Sequence, residues 1–351
     1  EAARRRCAAV LGVPAERLYF TSGGTEANAL VILAQLLRGA GCGAGRDAGR
    51  NGTGSGSALL VSAGEHPSVR ENAALLGRLG RSVQTVGLER EGWVSRSGLE
   101  TALARCGDPR FAALMAVNNE TGAVSDIGAL ARLLRHREGP PIHFHSDLVQ
   151  ALGKIPLDIA AWDIDSAAMS AHKLGGPRGV GLLYLKRPLE PLYRGGGQEG
   201  GIRPGTENTA GALALAECLE KRAQPGTVAA AYAEAALRMK ALISALKELP
   251  RCKLIPQDRQ AEDPRFSPWI LQAAFEGIPG EVMVRCLDDA GFAVSTGSAC
   301  SSGEKRRPVL AAMGIDDTTA FEGIRISQGW STSREDLEAL TGAVKDMLWK
   351  L

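Results

Sequence analysis

The sequence predicts an α/β protein with a large domain built on a mostly parallel sheet over residues 1–225 and a smaller α+β domain over residues 226–351. Two observations carry this prediction. Short β-rich runs alternate with segments of helical periodicity through the first part of the chain, which is the order found in α/β proteins. Beyond it, two long Ala/Leu-rich segments lead into a region with fewer strands, and 351 residues are enough for two domains.

The elements of the large domain are predicted in order along the chain. A helix at 1–12 precedes strands at 18–21, 58–63, 82–88, 111–118, 142–147, 165–171 and 179–185, with helices between them at about 26–38, 67–80, 97–105 and 126–137. The strands are short apolar runs, typical of a parallel sheet covered by helices on both faces. In such sheets functional residues lie at the carboxyl ends of the strands. The Gly-rich segment 39–57 is predicted to be a flexible surface loop, because its composition cannot bury enough apolar surface.

The small domain is predicted to follow two long helices that are separated near 223–226. Its predicted elements include strands at 270–275 and 292–296 and a final helix from about Arg334. At the other end, the chain begins within a helical pattern that no capping residue precedes. We therefore expect the complete protein to have further residues upstream.

Composition restricts the classes of partner. The 41 lysines and arginines nearly balance the 39 aspartates and glutamates, so no overall field favours nucleic acid or an anionic membrane surface. Seven scattered cysteines without a C-x-x-C pair argue against a disulfide framework and against a metal site. No apolar run approaches the ~20 residues of a membrane span. The sequence therefore predicts a cytoplasmic protein without nucleic-acid or membrane partners.

The segment SAHKLGGPRGVGLLYL (170–185) places Lys173 after a predicted strand and before a Gly/Pro turn. Taken alone, such a lysine is more often a surface residue. In a dry pocket, however, desolvation disfavours the charged amine, and the neutral amine can form a Schiff base. This favours pyridoxal 5′-phosphate as a cofactor.

Two side chains in HSDLVQALGK (145–154) suit the ring of that cofactor. Asp147 ends an apolar strand, where its carboxylate could keep the pyridine nitrogen protonated. Gln150 follows three residues later and could reach the ring oxygen. The alternative role for Asp147 is to cap the turn that follows the strand.

The segment FTSGGTEANALVI (20–32) predicts a strand, a Gly-Gly turn and a helix. Gly24 and Thr25 lie where the first helical amides point outward, which is the usual arrangement for binding an anion such as a phosphate. The segment is neither G-x-G-x-x-G nor a Walker A sequence, so dinucleotide binding is less favoured.

Three further side chains follow predicted strands or lie near them. His66 in SAGEHPSV (62–69) could lie over a cofactor ring and move protons near neutral pH. Asn119 in VNNETG (117–122) presents an amide. Arg325 in GIRIS (323–327) could hold a carboxylate with two hydrogen bonds, as an amino acid substrate would require.

The segment STGSACSSG (295–303) surrounds Cys300 with small residues rather than the apolar neighbours of a core cysteine. From these residues alone, Cys300 could form half of a disulfide, bind a metal or present a reactive thiol on a mobile segment. The scattered cysteines disfavour the first two roles.

Taken together, these residues resemble the cysteine desulfurases and selenocysteine lyases of the class V aminotransferase group, which are pyridoxal phosphate enzymes of fold type I. The motifs that carry the resemblance are TSGGTEAN, EHPSV, NNETG, SDLVQALGK, S-x-HK-x-x-GP-x-G, GGGQEGGIRPGTEN, GSACSSG and R-I-S. It extends from the first residues to the last helix and implies a seven-stranded sheet. Two features depart from the family pattern: an Asn-Ala-x-Thr-Thr strand is not found, and residues 39–57 are an insertion.

The resemblance implies a role for each residue that would contact the cofactor ring. Lys173 would bind the cofactor covalently, and Asp147 would face the pyridine nitrogen. Gln150 would contact the ring oxygen, and His66 would stack on the ring. Asn119 would lie beside the cofactor and the substrate.

The resemblance also implies how the cofactor phosphate is held. Thr25, Ser170 and His172 would bind it within one subunit. Thr206 in RPGTEN would reach the phosphate of the neighbouring subunit. A homodimer with shared active sites is therefore expected.

The implied activity is cysteine desulfuration. Arg325 would hold the carboxylate of L-cysteine, Lys173 would take the α-proton, and His66 would relay protons. Cys300 would attack the substrate sulfur, leaving L-alanine and a persulfide for a sulfur-acceptor protein, as in iron–sulfur cluster assembly. One alternative is a selenocysteine lyase that releases selenide from L-selenocysteine. Another is a truncated, non-catalytic relative that acts as a binding protein.

Overall fold

A computed structural model describes residues 1–37, 57–297 and 307–350. The chain divides into two compact units. The first unit comprises Glu1–Gly87, Val94–Ala116 and Asp126–Pro225, and the second comprises Leu88–Trp93, Val117–Ser125 and Gly226–Leu351. Two short segments thus fold with the second unit although they precede residue 225 in the chain. The division into folding domains at residue 225 stays a prediction.

Within the described residues, the sheet of the first unit has seven strands in the order β1-β7-β6-β5-β4-β2-β3. The strands are β1 Leu18–Thr21, β2 Ala58–Ser62, β3 Val83–Val86, β4 Pro109–Ala113, β5 His143–Asp147, β6 Ser166–Ser170 and β7 Gly181–Leu185. Strand β7 is antiparallel to both of its neighbours, β1 and β6, whereas the other pairs are parallel. The predicted mostly parallel, seven-stranded sheet is confirmed.

Helices separate most of these strands along the chain. They are α1 Ala2–Leu11, α2 Gly24–Leu33, α3 Pro67–Arg78, α4 Arg96–Arg105, α5 Ile127–His136, α6 Ile159–Trp162 and α7 Thr209–Arg222. Every residue of β2, β5, β6 and β7 is buried, which explains the apolar runs of β2 and β7, whereas β5 buries polar side chains as well. Helix α2 packs against β6 and β7. It ends at Leu33, where a 3₁₀ turn over Ala34–Leu36 follows, so the predicted helix to residue 38 is too long.

The direction of the strands determines where functional residues gather. Strands β1, β2, β4, β5 and β6 run the same way, so their carboxyl ends meet at one edge of the sheet. Gly181 of β7 pairs with both Thr21 and Ser170, and this register brings the turn after β1 beside the end of β6.

In the described part of the second unit, three strands form an antiparallel sheet in the order β10-β9-β8. The strands are β8 Cys252–Ile255, β9 Ile270–Phe275 and β10 Gly323–Ser327, and the helices are α8 Pro225–Lys247, α9 Gly280–Asp289, α10 Pro308–Ala312, α11 Asp317–Glu322 and α12 Arg334–Lys350. Leu271, Phe275 and Ile324 are fully buried in its core. None of the helices in the described ranges combines the length and apolarity needed to cross a membrane.

The predicted strand at 292–296 is wrong. Among the described residues of this segment, only Ser295 pairs, through an isolated bridge to Arg325 of β10. The apolar residues Phe292 and Val294 suggested a strand, but both are only partly buried against the core of this unit. Burial against a sheet neighbour, rather than local propensity, decides whether such a short run becomes a strand.

Candidate functional site

Four side chains of the first unit define what we term the strand-end cluster: His66, Asp147, Ser170 and Lys173. His66 follows β2, Asp147 ends β5, and Ser170 ends β6. Lys173 lies in the 3₁₀ turn that begins immediately after β6. The charges of both His66 and Lys173 lower the pKa of the Asp147 carboxyl, so these three groups lie within electrostatic reach of one another.

Asp147 is 3% exposed, and each of its carboxylate oxygens accepts a hydrogen bond. The backbone N–H of Val149 donates to Oδ1 at 2.9 Å, and Asn28 Nδ2 donates to Oδ2 at 2.7 Å. Burial raises the pKa of Asp147, while these donors and the nearby charges of His66 and Lys173 oppose the rise. The carboxyl is therefore placed to pair with a proton-bearing or cationic partner. The capping role considered for Asp147 also occurs, through Val149.

His66 is fixed by Ser68 at the start of α3. The Ser68 backbone N–H donates to His66 Nδ1 at 3.1 Å, and the Ser68 hydroxyl lies 2.8 Å from the same nitrogen. Because a backbone N–H can only donate, Nδ1 is the acceptor, and the neutral ring carries its proton on Nε2. Burial lowers the pKa of His66, as does the charge of Lys173, whereas Asp147 acts in the opposite direction. The ring is thus a neutral imidazole with an available Nε2–H.

The turn after β1 packs closely against the ends of β6 and β7. A Cβ added at Gly24 would lie 2.5 Å from Val149 Cγ2, and one at Gly181 would lie 2.7 Å from the Cα of Gly23. Side chains at these positions would push the turn away from Ser170. Helix α2 begins at Gly24 without a side-chain cap, so its first backbone amides can donate hydrogen bonds to an anion.

The other residues predicted around a phosphate lie near this turn or on the surface. Ser170 Oγ is 2.7 Å from His172 Nδ1, so these two predicted residues are in contact. Thr25 is exposed in the first turn of α2, and Thr206 is exposed in the segment before α7. The structure of one chain brings Ser170 and His172 together and leaves Thr206 on the surface.

Gln150 is held by a buried lysine that the sequence analysis did not select. Lys154 Nζ donates to Gln150 Oε1 at 3.0 Å, and both residues are at least nine-tenths buried. This contact orients the amide, because its oxygen faces the ammonium. The amide nitrogen is then the group that remains for an acceptor such as a ring oxygen.

Asn119 and Arg325 belong to the second unit. Arg325 Nη1 donates to the backbone oxygen of Asn119 at 2.9 Å. Arg325 Nε is buried and has no hydrogen-bond partner among the described residues. Burial lowers the pKa of Arg325, and the carboxylate of Glu120 opposes that shift. A guanidinium with a buried, unsatisfied N–H is suited to an anionic ligand.

Cys300 lies outside the described residues, as does Cys42. The described residues before and after the segment that contains Cys300 make hydrogen bonds to β10. Ser295 exchanges backbone hydrogen bonds with Arg325, and Arg307 Nη1 donates to Gly323 O at 2.8 Å. Gly297 has a φ of 154°, a backbone conformation that favours glycine.

Several buried polar residues beside Asp147 escaped the sequence analysis: Asn28, Glu65, Ser68, His143, His145 and Ser166. Glu65 accepts from the Met115 backbone N–H at 2.6 Å, and its other carboxyl oxygen has no partner among the described residues. Burial and the charge of Asp147 raise the pKa of Glu65 well above its usual range. The alternation His143-x-His145-x-Asp147 placed three polar side chains on one face of a strand and was the available signal.

In the described ranges, no group of three or more His, Cys, Asp or Glu side chains is arranged to hold a metal ion. Cys7, Cys106, Cys218, Cys252 and Cys286 are free thiols.

Comparisons with known proteins place this geometry in a family. The family model "Aminotransferase class-V" matches residues 1–340. A protein of Gluconacetobacter diazotrophicus named cysteine desulfurase is 35% identical, with 99% of this chain aligned to 80% of the relative. A solved structure of a NifS-like protein has a TM-score of 0.86 at 28% identity and covers 100% of this chain and 87% of its own. A structure of SspA in complex with cysteine has a TM-score of 0.74 at 25% identity, covering 93% and 85% of the respective chains. The chain therefore belongs to the class-V aminotransferase family, among relatives named cysteine desulfurases.

Proposed function

We propose that this protein is a pyridoxal phosphate-dependent cysteine desulfurase, which converts L-cysteine to L-alanine and transfers the sulfur to Cys300. The observation that carries the proposal is the strand-end cluster, in which Lys173, His66 and buried Asp147 interact at the edge of a largely parallel sheet. The 35% identical relative named cysteine desulfurase supports the choice of reaction. The structure of SspA with cysteine supports the choice of substrate.

The residues present fit the cofactor. Asp147 is buried and hydrogen-bonded at both oxygens, as a partner of a pyridinium nitrogen should be. Gln150 presents its amide nitrogen for the ring oxygen, and His66 would stack on the ring. When bound, pyridoxal phosphate supplies an electron-withdrawing ring that stabilises negative charge at the substrate α-carbon. Lys173 would hold the cofactor covalently through its amine.

The phosphate of the cofactor would lie at the first turn of α2. Its ligands would be the amide of Gly24 and the side chains of Thr25, Ser170 and His172. The start of α2 supports this site, because no side-chain cap accepts hydrogen bonds from its first amides. The exposed Thr206 would complete the phosphate site of a second subunit, which makes the protein a homodimer with shared active sites.

The residues around the substrate have distinct tasks. Arg325 would bind the substrate carboxylate, with its buried Nε–H as one of two donors. Asn119 would contact the substrate side of the ring. The Lys173 amine would accept the α-proton, and His66 would relay protons during carbon–sulfur cleavage. Burial lowers the pKa of His66, so near neutral pH the ring would take up a proton before it gives one.

Cys300 would then take the sulfur. Its thiolate attacks the sulfur of the substrate, a sulfur–sulfur bond forms, and the carbon–sulfur bond breaks with its electron pair left on carbon. Protonation of that carbon and return of a proton to the α-carbon would complete L-alanine and leave a persulfide on the enzyme. An acceptor protein would receive the sulfur, and a cytoplasmic location is part of the same proposal.

Spectra and product analysis test this function. With added pyridoxal phosphate we expect a visible absorption band, and with L-cysteine equal amounts of L-alanine and transferred sulfur. Cys300→Ala should abolish turnover of cysteine, whereas Cys286→Ala, which removes another free thiol of the second unit, should retain it. Unchanged cysteine turnover in Cys300→Ala would contradict the persulfide step. Selenide release from L-selenocysteine that exceeds sulfide release and survives Cys300→Ala would favour the lyase instead.

A further inference from the structure

We propose that Asn28 is a positioning residue that joins a buried hydrogen-bond chain, running from His143 through Ser166 and His145, to both Asp147 and His66. The inference rests on the proposed function, because it concerns how the cofactor-facing groups of that site are held. It adds a supporting network to the residues that would contact the cofactor.

The hydrogen-bond chain follows one face of β5 and crosses to α2. His143, His145 and Asp147 alternate along the strand and therefore share a face. His143 Nε2 lies 2.8 Å from Ser166 Oγ, and the same hydroxyl lies 2.8 Å from His145 Nδ1. His145 Nε2 lies 2.8 Å from Asn28 Oδ1, and Asn28 Nδ2 lies 2.7 Å from Asp147 Oδ2. Four consecutive contacts thus connect His143 with Asp147.

The chemistry of Asn28 fixes the direction of these contacts. Its Nδ2 is the only side-chain donor that can face the Asp147 carboxylate, so Oδ1 faces His145 and must accept. His145 Nε2 is therefore protonated, and its Nδ1 accepts from the Ser166 hydroxyl. Ser166 Oγ in turn accepts from His143 Nε2–H. Every donor in the chain points towards Asp147.

A branch at Asn28 reaches His66. The second hydrogen of Asn28 Nδ2 is directed to Ser68 Oγ at 2.9 Å. The Ser68 hydroxyl can then give its own hydrogen to His66 Nδ1 at 2.8 Å. This agrees with the acceptor role of Nδ1 and keeps the proton of the neutral ring on Nε2. One amide thus contacts Asp147 and also orients the Ser68 hydroxyl, which joins the Ser68 backbone N–H at Nδ1 of His66.

The hydrogen-bond chain is shielded from water. Asn28 is 1% exposed, and His145 and Ser166 are fully buried. The ring of Phe111 stacks on both imidazoles, with centroids 5.7 Å from His143 and 6.3 Å from His145. In such a low-dielectric interior, aligned hydrogen bonds strengthen one another. Burial lowers the pKa of His145 to about 3, so it remains a neutral member of the chain near neutral pH.

The hydrogen bonds to Asp147 favour its ionised form and oppose burial, which raises its pKa. Both carboxylate oxygens already accept hydrogen bonds, so a proton on either oxygen would oppose a donor from Val149 or Asn28. The charged or titratable groups that face Asp147 are His66, Lys173 and Glu65. Of these, Glu65 is buried, and burial together with the charge of Asp147 raises the pKa of its carboxyl well above the usual range. Asn28 is a neutral residue that donates a hydrogen bond to Asp147. This hydrogen bond stabilises the carboxylate that would face the cofactor.

The test compares three variants of the holoenzyme. Asn28→Ala removes the junction, His145→Leu removes the donor behind it, and His145→Gln keeps an amide donor in its place. Gln35→Met is the matched control, because Gln35 is buried just beyond α2 and donates to the Val31 backbone oxygen. The measurements are the dissociation constant of pyridoxal phosphate and the pH midpoint of the visible absorption change.

For Asn28→Ala and His145→Leu we expect about tenfold weaker cofactor binding, the loss typical of one hydrogen bond to a charged group. The pH midpoint of the absorption change should rise. A cofactor ring whose pyridine nitrogen is less firmly protonated withdraws less electron density from the imine nitrogen that is conjugated with it, so that nitrogen keeps its proton to higher pH. His145→Gln should restore both values towards wild type. If His145→Leu does not fold, Ser166→Ala breaks the same chain by removal of one hydroxyl and should shift the midpoint in the same direction.

Midpoints and dissociation constants equal to those of Gln35→Met in every folded variant would overturn this inference while leaving the proposed function intact. A fall in melting temperature without a shift in midpoint would overturn it as well, since that is the signature of a structural role alone. A wild-type protein that shows no visible band with pyridoxal phosphate would overturn the proposed cofactor, and the inference with it.

Discussion

The strand-end cluster of the first unit and the Arg325–Asn119 pair of the second unit are both polar and largely buried, yet their polar atoms are satisfied differently. Both carboxylate oxygens of Asp147 accept hydrogen bonds from the protein. Arg325 donates through Nη1 to a backbone oxygen, while its Nε is buried without a partner among the described residues. An unsatisfied buried donor costs about 1–3 kcal/mol. We infer that the first region is organised before any ligand binds, whereas the second is completed by one.

This difference predicts which binding constant each region should control. A preorganised carboxylate and imidazole should determine cofactor affinity and spectrum. An arginine with an unused donor should determine the affinity for an anionic substrate. Substitutions in the two units should therefore change different measured constants, and the following predictions test that separation.

The largest effect is expected for Lys173→Ala. Loss of the amine that moves the α-proton should lower kcat by at least about a thousandfold and change the visible spectrum of the bound cofactor. Lys186→Ala, at an ion pair with Asp163 elsewhere in the first unit, is the control and should change neither. Turnover is measured as alanine formed. Full turnover by Lys173→Ala would contradict the catalytic role that we assign to the strand-end cluster.

Arg325→Lys should act on the substrate alone. A lysine cannot reproduce a two-pronged contact with a carboxylate, so KM for L-cysteine should rise roughly tenfold to a hundredfold. The dissociation constant of pyridoxal phosphate should stay unchanged. Arg334→Lys, at an exposed pair with Glu338, is the control. If Arg325→Lys weakened cofactor binding and left KM as it was, the proposed division of roles would be wrong.

His145 should make the first unit sensitive to acid. The pKa of His145 is about 3 in the folded protein, against about 6.5 for an unperturbed histidine. The unfolded state therefore binds the extra proton first, and stability falls as pH decreases from about 6.5 towards 3. At pH 5 the loss from this one group is about 2 kcal/mol relative to pH 7.

The measurement is urea unfolding with saturating pyridoxal phosphate at pH 7 and pH 5. The decrease in unfolding free energy between the two should be about 2 kcal/mol smaller in His145→Gln than in wild type. Gln35→Met should show the wild-type decrease. An equal decrease in all three proteins would show that His145 is not held neutral by burial.

The smallest effect is expected for Gly24→Ala. Its new Cβ would lie 2.5 Å from Val149 Cγ2, but Val149 is only half-buried and can turn aside. We expect roughly fivefold weaker binding of pyridoxal phosphate, at the lower end of the usual cost of overpacking, and recovery in Gly24→Ala/Val149→Ala. Gly226→Ala is the control, since a Cβ there meets no atom within 4 Å. Equal effects of the two alanines would argue against a phosphate at this turn.

Much of the fold was predictable because its signals are local. Apolar runs identified all seven strands of the sheet, and the motif around Lys173 was visible as a lysine after a strand. The predicted strand at 292–296 failed because pairing with β10 involves Ser295 alone. No local sequence pattern predicts how many residues of such a run will pair with a neighbouring strand.

The sequence by itself determined which residues end the strands, and hence that His66, Asp147 and Lys173 belong to one edge of the sheet. Only the tertiary structure decided what surrounds them. Asn28 meets Asp147 across 119 positions of the chain, and His145 meets Asn28 across 117. Hydrophobic periodicity and turn chemistry act over a few residues, whereas such pairs depend on strand order and on the packing of α2 against the sheet. The partners of a buried polar group therefore emerge only when the strands are assembled.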